Sequence, residues 1–299
     1  MSLLLLAVLL LAVMGASALW EDDGFGKNGV AAVDPVEDGG GEGGEGAARV
    51  AINVLNASPP LVHLPAFLTP DECDALIALA DNRLEPAEVL NQGETVRTSE
   101  SMWLTLEELG EEPFRGVRAK IVAALEQLEP DFGFVHPDFH ERLQVQRYGV
   151  GQLYAQHWDA NSNTPGYDRR ATVLMYLTTV PKGGETIFPY IVHTADGLAV
   201  DENKLSCDQV VCNPEIGDVE LNQEAMYCCC AEIFRMPPVR GDGFIFYPSH
   251  EDGQVDRRML HASCPVAPLR PGDAGEQPIK YVAQLWFHVN PPPVPNEDL

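Results

Sequence analysis

Three features of the sequence predict an α+β fold. Helical periodicity is confined to the first half, a two-residue alternation dominates after Leu143, and no internal repeat interrupts that order. Many short strands following two helices suit a sandwich or jelly roll. A chain of 299 residues that is 45% hydrophobic and 8% aromatic can bury such a core in one catalytic-sized domain.

Residues 3–19 form an almost unbroken apolar run ending in Ala16-Ser17-Ala18, the pattern of a secretory signal peptide or signal anchor. No Lys or Arg precedes the run, and its length lies at the short limit for a bilayer span. Cleavage and retention as a type II membrane anchor therefore both fit, and either directs the chain into the secretory pathway, to the endoplasmic reticulum or onward to the Golgi. Residues 20–60 read as an acidic Gly/Glu-rich linker. Its 21–48 stretch has scarcely any large apolar side chain with which to offset the entropy of ordering, so disorder is expected. The sequon Asn56-Ala57-Ser58 follows, weakened by Pro59.

Folded sequence is expected from Leu61 to the end. Thr69-Pro70-Asp71-Glu72 opens the first helix, with Thr69 as cap, Pro70 in the first turn and Glu72 completing a capping box. Residues 114–128 give a second helix with Val117, Ile121 and Leu125 on one face. Strands are predicted at LQVQRYG (143–149), TVLMYLTT (172–179), GFIFY (243–247) and IKYVAQLWFHV (279–289). Between them, about 190–236 carries cysteines without a sustained period, and reads as an insertion tied by disulfides.

A net charge of -26 and a pI near 4.5 exclude a nucleic-acid binder, which needs a basic surface for phosphates. A neutral or basic polypeptide is the better-suited partner. Seven cysteines (73, 207, 212, 228, 229, 230 and 264) in an exported chain read first as disulfide partners, with one left over. A zinc knot is the lesser alternative, because the run Cys228-Cys229-Cys230 is not a ligand spacing.

His157-Trp158-Asp159 is the first candidate for chemistry. In a strand, residues two apart share a face, so both side chains can reach one ion. A His-x-Asp pair alone is common, and His136-Pro137-Asp138, with His140 beyond, is a competing example on loop-like sequence. His261, in an apolar stretch after GFIFY, is the best distant partner. Two imidazoles and one carboxylate make the facial triad that leaves iron positions open for cosubstrate and oxygen. Lys280 begins the last strand among apolar neighbours. It is either a carboxylate anchor or a strand-end lysine with its head in solvent; periodicity does not decide between them.

These segments, taken in order over 61–289, resemble prolyl 4-hydroxylases of the plant and green-algal type. The resemblance is carried by FLTPDECDALI, VRTSESMWL, LQVQRYGVGQLYAQHWD, RRATVLMYLTTVPKGGETIFP, VRGDGFIFY, DGQVDRRMLHASCPV and KYVAQLWFHV. It implies a double-stranded β-helix (jelly-roll) core with N-terminal flanking helices, and a 2-oxoglutarate- and Fe(II)-dependent dioxygenase that uses O2 and ascorbate. It further implies His157, Asp159 and His261 as iron ligands and Lys280 on the far carboxylate of 2-oxoglutarate, helped by Tyr148 and Thr186. Tyr154, Arg169, Trp286 and His288 would line a groove for a proline-rich polypeptide, with Arg97 and Ser99 on a covering loop. The sequence departs from the family in the long spacing between His261 and Lys280, which leaves Arg270 as a rival to the lysine. A related dioxygenase acting on lysyl residues or a small molecule, and a non-catalytic jelly-roll binding module, are the alternative functions. Oligomeric state, proline context and disulfide pairing are not encoded in any pattern found.

Overall fold

A computed structural model describes residues 49–87, 97–160, 169–201, 228, 230, 232–269 and 275–290. The apolar run 3–19, most of the expected linker and Arg270 lie outside the described residues. Among the described residues no helix is long and apolar enough to cross a membrane.

Order begins earlier than Leu61, which corrects the expected end of the linker. Strand β1 (Asn53–Ala57) pairs antiparallel with β2 (Pro60–Leu64), and Val50 and Ile52 ahead of it pack on the core. Because β1 is an edge strand, half exposed and carrying Asn53 and Asn56, it lacks the apolar alternation that betrays an inner strand. Helix α1 (Pro70–Ala80) then starts at the predicted capping box. Thr69 Oγ1 accepts from Glu72 N at 3.2 Å, and Glu72 Oε2 accepts from Thr69 N at 2.8 Å. The same Glu72 oxygen takes the Lys120 ammonium at 2.7 Å, fastening α1 to a later helix.

Strands β3 (Glu85–Pro86) and β4 (Glu100–Trp103) come next, followed by the short α2 (Leu106–Leu109) and the long α3 (Phe114–Phe132). Helix α3 buries Phe114, Val117, Ile121, Ala124, Leu125 and Leu128, the face that its i, i+3, i+4 spacing predicts. Helices and strands thus alternate, so α1 and α3 are not a layer ahead of the barrel. They form the backing of its larger sheet.

The remaining strands are β5 (Gln144–Tyr148), β6 (Tyr154–His157), β7 (Arg169–Tyr176), β8 (Thr186–Thr194), β9 (Gly197–Val200), β10 (Ile233–Met236), β11 (Gly243–Phe246), β12 (His261–Ser263) and β13 (Lys280–His288). They build a sheet of order β1-β2-β11-β7-β13-β5-β4-β3 and a smaller one of order β10-β8-β12-β6, every neighbour antiparallel. Strand β13 shows how the layers share side chains. Tyr281, Ala283, Leu285 and Phe287 pack towards the helices, while Val282 joins Phe188, Phe234 and Phe246 between the sheets. Two antiparallel sheets closed on a common apolar interior make the jelly roll.

The insertion is narrower than expected. Tyr190 belongs to β8, Gly197–Val200 is β9 and Ile233–Met236 is β10, so sheet structure occupies both ends of 190–236. The turn at 194–197 is held by Thr194 Oγ1 donating to Gly197 O at 3.0 Å. Cys228 is bonded to Cys264, Cys230 is also disulfide-bonded, and Cys73 is a free, buried thiol among the described residues. Gly183, in the turn before β8, has φ +72° and lies so close to β12's exit that a Cβ would stand 2.3 Å from Pro265 O.

Two adjacent arginines at the start of β7 face opposite ways. Arg170 points to the helical side, donating to Phe132 O and Ser249 O at 2.6 Å each, and stacks on Tyr247. Arg169 points to the interior. Since Ile121 is fully buried between α3 and the large sheet, Ile121→Ala should lower unfolding free energy by about 2–5 kcal/mol, read by urea denaturation.

Candidate metal centre

Strand β6 ends at His157, and Asp159 lies two residues on, so both project to the same side. His261 opens β12, and the antiparallel register sets it directly opposite His157. Asp159 Oδ1 is 3.6 Å from the Nε2 atoms of both histidines. Candidate ligand atoms from the three residues lie within 4.8 Å of one another, and no other metal-type cluster occurs among the described residues. That includes the competing His136-Pro137-Asp138: His136 stacks on Phe139, and Asp138 pairs with Arg118 at 2.7 Å.

The hydrogen bonds around the triad leave three lone pairs converging. His157 Nδ1 is 2.8 Å from Ala155 O, and His261 Nδ1 is 3.0 Å from Met259 O. A carbonyl only accepts, so both Nδ1 atoms carry the proton and both Nε2 atoms are unprotonated in the neutral rings. Asp159 Oδ2 is committed to two donors, Thr172 Oγ1 at 2.7 Å and Trp286 Nε1 at 3.0 Å, which leaves Oδ1 for the centre. Burial pushes the Asp159 carboxyl up, but the His261 and His157 imidazoles and Arg169 outweigh it and hold it below the usual carboxylate range. Burial and the neighbouring His157 push His261 down to about 4, so its ring is neutral and ready to ligate at neutral pH. His261 Nε2 is buried without a hydrogen-bond partner. An orphaned buried acceptor is costly unless something electropositive meets it, and a divalent cation fits this N2O donor set.

Lys280 faces the same interior and is 1% exposed, which settles its orientation against a solvent-pointing head. Its Nζ donates to Ser263 Oγ at 2.7 Å and lies over the Tyr148 and Tyr176 rings at 5.0 and 5.5 Å. It has no ion-pair partner among the described residues. Thr186 Oγ1 accepts from Tyr176 OH at 2.7 Å, and Thr186 pairs with Ser263 across the strands. Tyr148, fully buried, donates to Gln146 Oε1. Lys280, Ser263, Thr186, Tyr148 and Tyr176 therefore form one polar cluster, which Tyr148 extends to the buried Gln146. Ser263, which holds the ammonium, stands one strand repeat, roughly 6.6 Å, from His261 along β12.

The residues expected to line a groove divide into two sets. Tyr154, Arg97 and Arg169 are only half-buried and stand beside the triad: Tyr154 stacks on His157 at 3.7 Å, and Arg97 lies over Tyr154 at 4.7 Å. Trp286, His288 and Ser99 are 4%, 0% and 2% exposed, so in the protein alone they lie beneath the surface. Trp286 orients Asp159. His288 Nε2 meets Glu141 Oε1 at 3.0 Å, and Ser99 Oγ takes the Arg97 Nε–H at 2.8 Å. Glu141 also receives Arg169 through two bonds of 2.6 and 2.9 Å, and the Arg169 guanidinium stacks on Trp286 at 4.1 Å.

Thr172, Ser263, Tyr176 and Glu141 were not singled out by sequence. Thr172 and Ser263 each stand in inward register with residues that were, opposite Trp286 and next but one to His261, and that alternation is the signal that could have found them. Replacing Trp286 by Phe, or Thr172 by Val, should weaken divalent-metal binding about 10- to 100-fold while the fold is retained, measured by calorimetry and circular dichroism.

Residues 143–288 match the family described as the 2OG-Fe(II) oxygenase superfamily. The chain is 31% identical over 249 residues to probable prolyl 4-hydroxylase 6 of Arabidopsis thaliana, covering 80% of this chain and 72% of that protein. It is also 31% identical over 253 residues to probable prolyl 4-hydroxylase 8 of the same plant, again covering 80% and 72%. Among solved structures it is similar to the viral collagen prolyl hydroxylase of Paramecium Bursaria Chlorella virus-1 in its 2OG complex, at 21% identity and TM-score 0.49, over 76% of this chain and 94% of that one. On the identity and extent of the plant matches, this chain belongs to the prolyl 4-hydroxylase family of 2OG-Fe(II) oxygenases.

Proposed function

We propose that the protein is a peptidyl-proline 4-hydroxylase in which His157, Asp159 and His261 hold Fe(II) and Lys280 holds 2-oxoglutarate. The observation that carries this reading is a buried ammonium, without an ion-pair partner among the described residues, bonded to Ser263 one strand repeat from the ligand His261. A short dicarboxylic acid is the complement of that pair of sites. The bound iron, with O2 and 2-oxoglutarate, supplies the oxidising power that turns the cosubstrate into succinate and CO2 and places one oxygen atom on proline C4.

The chain's own residues do the positioning. Lys280 Nζ and Ser263 Oγ receive the far carboxylate, with the Thr186 hydroxyl beside them as a donor and Tyr148 joining once its proton turns from Gln146 Oε1 to the anion. Thr172 and Trp286 hold Asp159 by one oxygen, so the other keeps its direction. Phe188 and Phe246, whose rings lie 5.6 and 4.9 Å from His261, exclude water behind the triad. Tyr154 and Arg169 flank the opening and suit a proline-rich chain in extended polyproline II form. The apolar run 3–19 supports action on secreted proteins, with ascorbate as the expected reductant.

Asp159→Ala should abolish peptide-stimulated CO2 release from 2-oxoglutarate and hydroxyproline formation, seen by mass spectrometry of proline-rich peptides; undiminished turnover would sink the assignment. Lys280→Ala should raise KM for 2-oxoglutarate about 100-fold, the scale of removing one member of a buried charge pair. Burial, only partly countered by Glu185, brings Lys280 down to about 7 in the cosubstrate-free protein. Above that pH the ammonium of the free protein is discharged, and binding of a dicarboxylate must recover the proton. Apparent affinity for 2-oxoglutarate should therefore fall about tenfold per pH unit above 7, with proton uptake visible in calorimetry across buffers.

A further inference from the structure

Three glutamine amides are buried beside the cosubstrate cluster, and nothing in the proposed chemistry uses them. Gln144 and Gln146 share the inner face of β5 with Tyr148, and Gln284 lies on β13 between Lys280 and Trp286. They are 4%, 1% and 8% exposed. Apolar side chains of the same shape would fill this space at no loss of stability, so the reason for the amides lies in their hydrogen bonds.

Those bonds form one directed row. Tyr148 OH donates to Gln146 Oε1, and Gln146 Nε2 donates to Gln144 Oε1 at 2.6 Å and to Gln284 Oε1 at 2.7 Å. Arg97 Nη2 then donates to Gln144 Oε1 at 3.3 Å. Burial raises the Tyr148 phenol above its ordinary range, against the opposing pull of Arg97 and Ser99, so it keeps its proton and remains a donor at neutral pH. One end of the row is therefore the ring that lies 5.0 Å from Lys280 Nζ. The other end is the guanidinium that covers Tyr154 beside His157.

A carboxamide has an acceptor at one end and donors at the other, so a row of amides can run in either of two directions. The first bond sets which. While Tyr148 donates, Gln146 turns its nitrogen to both neighbours, they show it oxygen, and the Gln144 oxygen restrains Arg97. When a carboxylate at Lys280 accepts the Tyr148 hydrogen bond instead, Gln146 Oε1 is left buried without a donor, which is costly. Turning the amide over repairs this: its nitrogen donates to the phenol oxygen, and its oxygen receives the nitrogens of Gln144 and Gln284, which turn with it. Arg97 then faces a donor in place of an acceptor, and its Nη2 is free for a polypeptide carbonyl.

We propose that Gln146 and Gln144 are positioning residues of a reversible amide relay, through which a dicarboxylate at Lys280 releases Arg97 to grip the polypeptide at the opening. It rests on the proposed function and adds a coupling between its two substrates. Because such coupling is reciprocal, the polypeptide tightens the dicarboxylate by the same factor.

Calorimetry on the Fe(II)-loaded protein without oxygen gives the Kd of decaproline with and without saturating 2-oxoglutarate. In the unaltered protein, 2-oxoglutarate should tighten decaproline about tenfold, within the range usual for linked sites. Two substitutions of similar size at one position then make opposite demands. Gln144→Met offers Arg97 no acceptor, so decaproline should bind about tenfold tighter without 2-oxoglutarate and gain little on its addition. Gln144→Glu can only accept and keeps Arg97 in both states, so decaproline should stay at its weaker affinity even with 2-oxoglutarate. Gln146→Met severs the row behind Gln144 and should also remove the response, with circular dichroism checking that each variant is folded. No response in the unaltered protein, a response retained in these variants, or equal weakening of decaproline in both states would overturn the relay. If the unaltered protein neither binds decaproline nor forms hydroxyproline on it once oxygen is admitted, the proline-rich reading on which the relay rests is overturned.

Discussion

Asp159 joins the two sheets through one carboxylate. Its Oδ2 is gripped by Thr172 on β7 and Trp286 on β13, both in the large sheet, while its Oδ1 faces His157 at the end of β6 and His261 on β12, both in the small one. Each oxygen has a separate task, so neither sheet can shift against the other without disturbing the donor set. Charge-assisted hydrogen bonds in a buried setting are strong enough to impose that alignment. The aromatic floor under His261 and the register of β12 against β6 then follow as packing around a fixed point.

Polar groups inside such a barrel must be accounted for, and two different solutions are visible. The buried Glu141 carboxylate meets Arg169 and His288 through short bonds, so its charge is balanced within the protein. Lys280 is compensated only in part: a single serine hydroxyl, two ring faces and the more distant Glu185 are a poor exchange for water. The first arrangement stabilises the apo protein. The second leaves the protein waiting for an anion, and belongs to binding rather than to folding.

Much of this was legible in the sequence because period and chemistry coincided. His157 and Asp159 could be paired because a strand puts alternate residues on one face, and Val117, Ile121 and Leu125 announced α3 by helical spacing. The capping box at Thr69 marked its helix to the residue. Strand β1 was missed because an edge strand needs no apolar face, and β10 because four residues inside a cysteine-bearing stretch carry too little pattern. Trp286 and His288 were expected on a groove wall from the family resemblance, which says nothing of how deep they lie. Depth depends on Glu141, Arg169 and Asp159, which are distant in sequence from both. Lys280 could not be decided by periodicity for the same reason: only Ser263 and the two tyrosines show that its head stays inside.

The neighbouring Arg169 and Arg170 bear on how the chain finds its register. A one-residue slip of β7 would exchange the two guanidinium groups between faces of the sheet. A slip in one direction leaves Glu141 without a guanidinium, and a slip in the other leaves the carbonyls of Phe132 and Ser249 without donors, so mispairing either way strands one set of partners. Two identical side chains in succession, which look redundant in a linear reading, act as a keyed lock that admits one alignment of the strand and refuses the next.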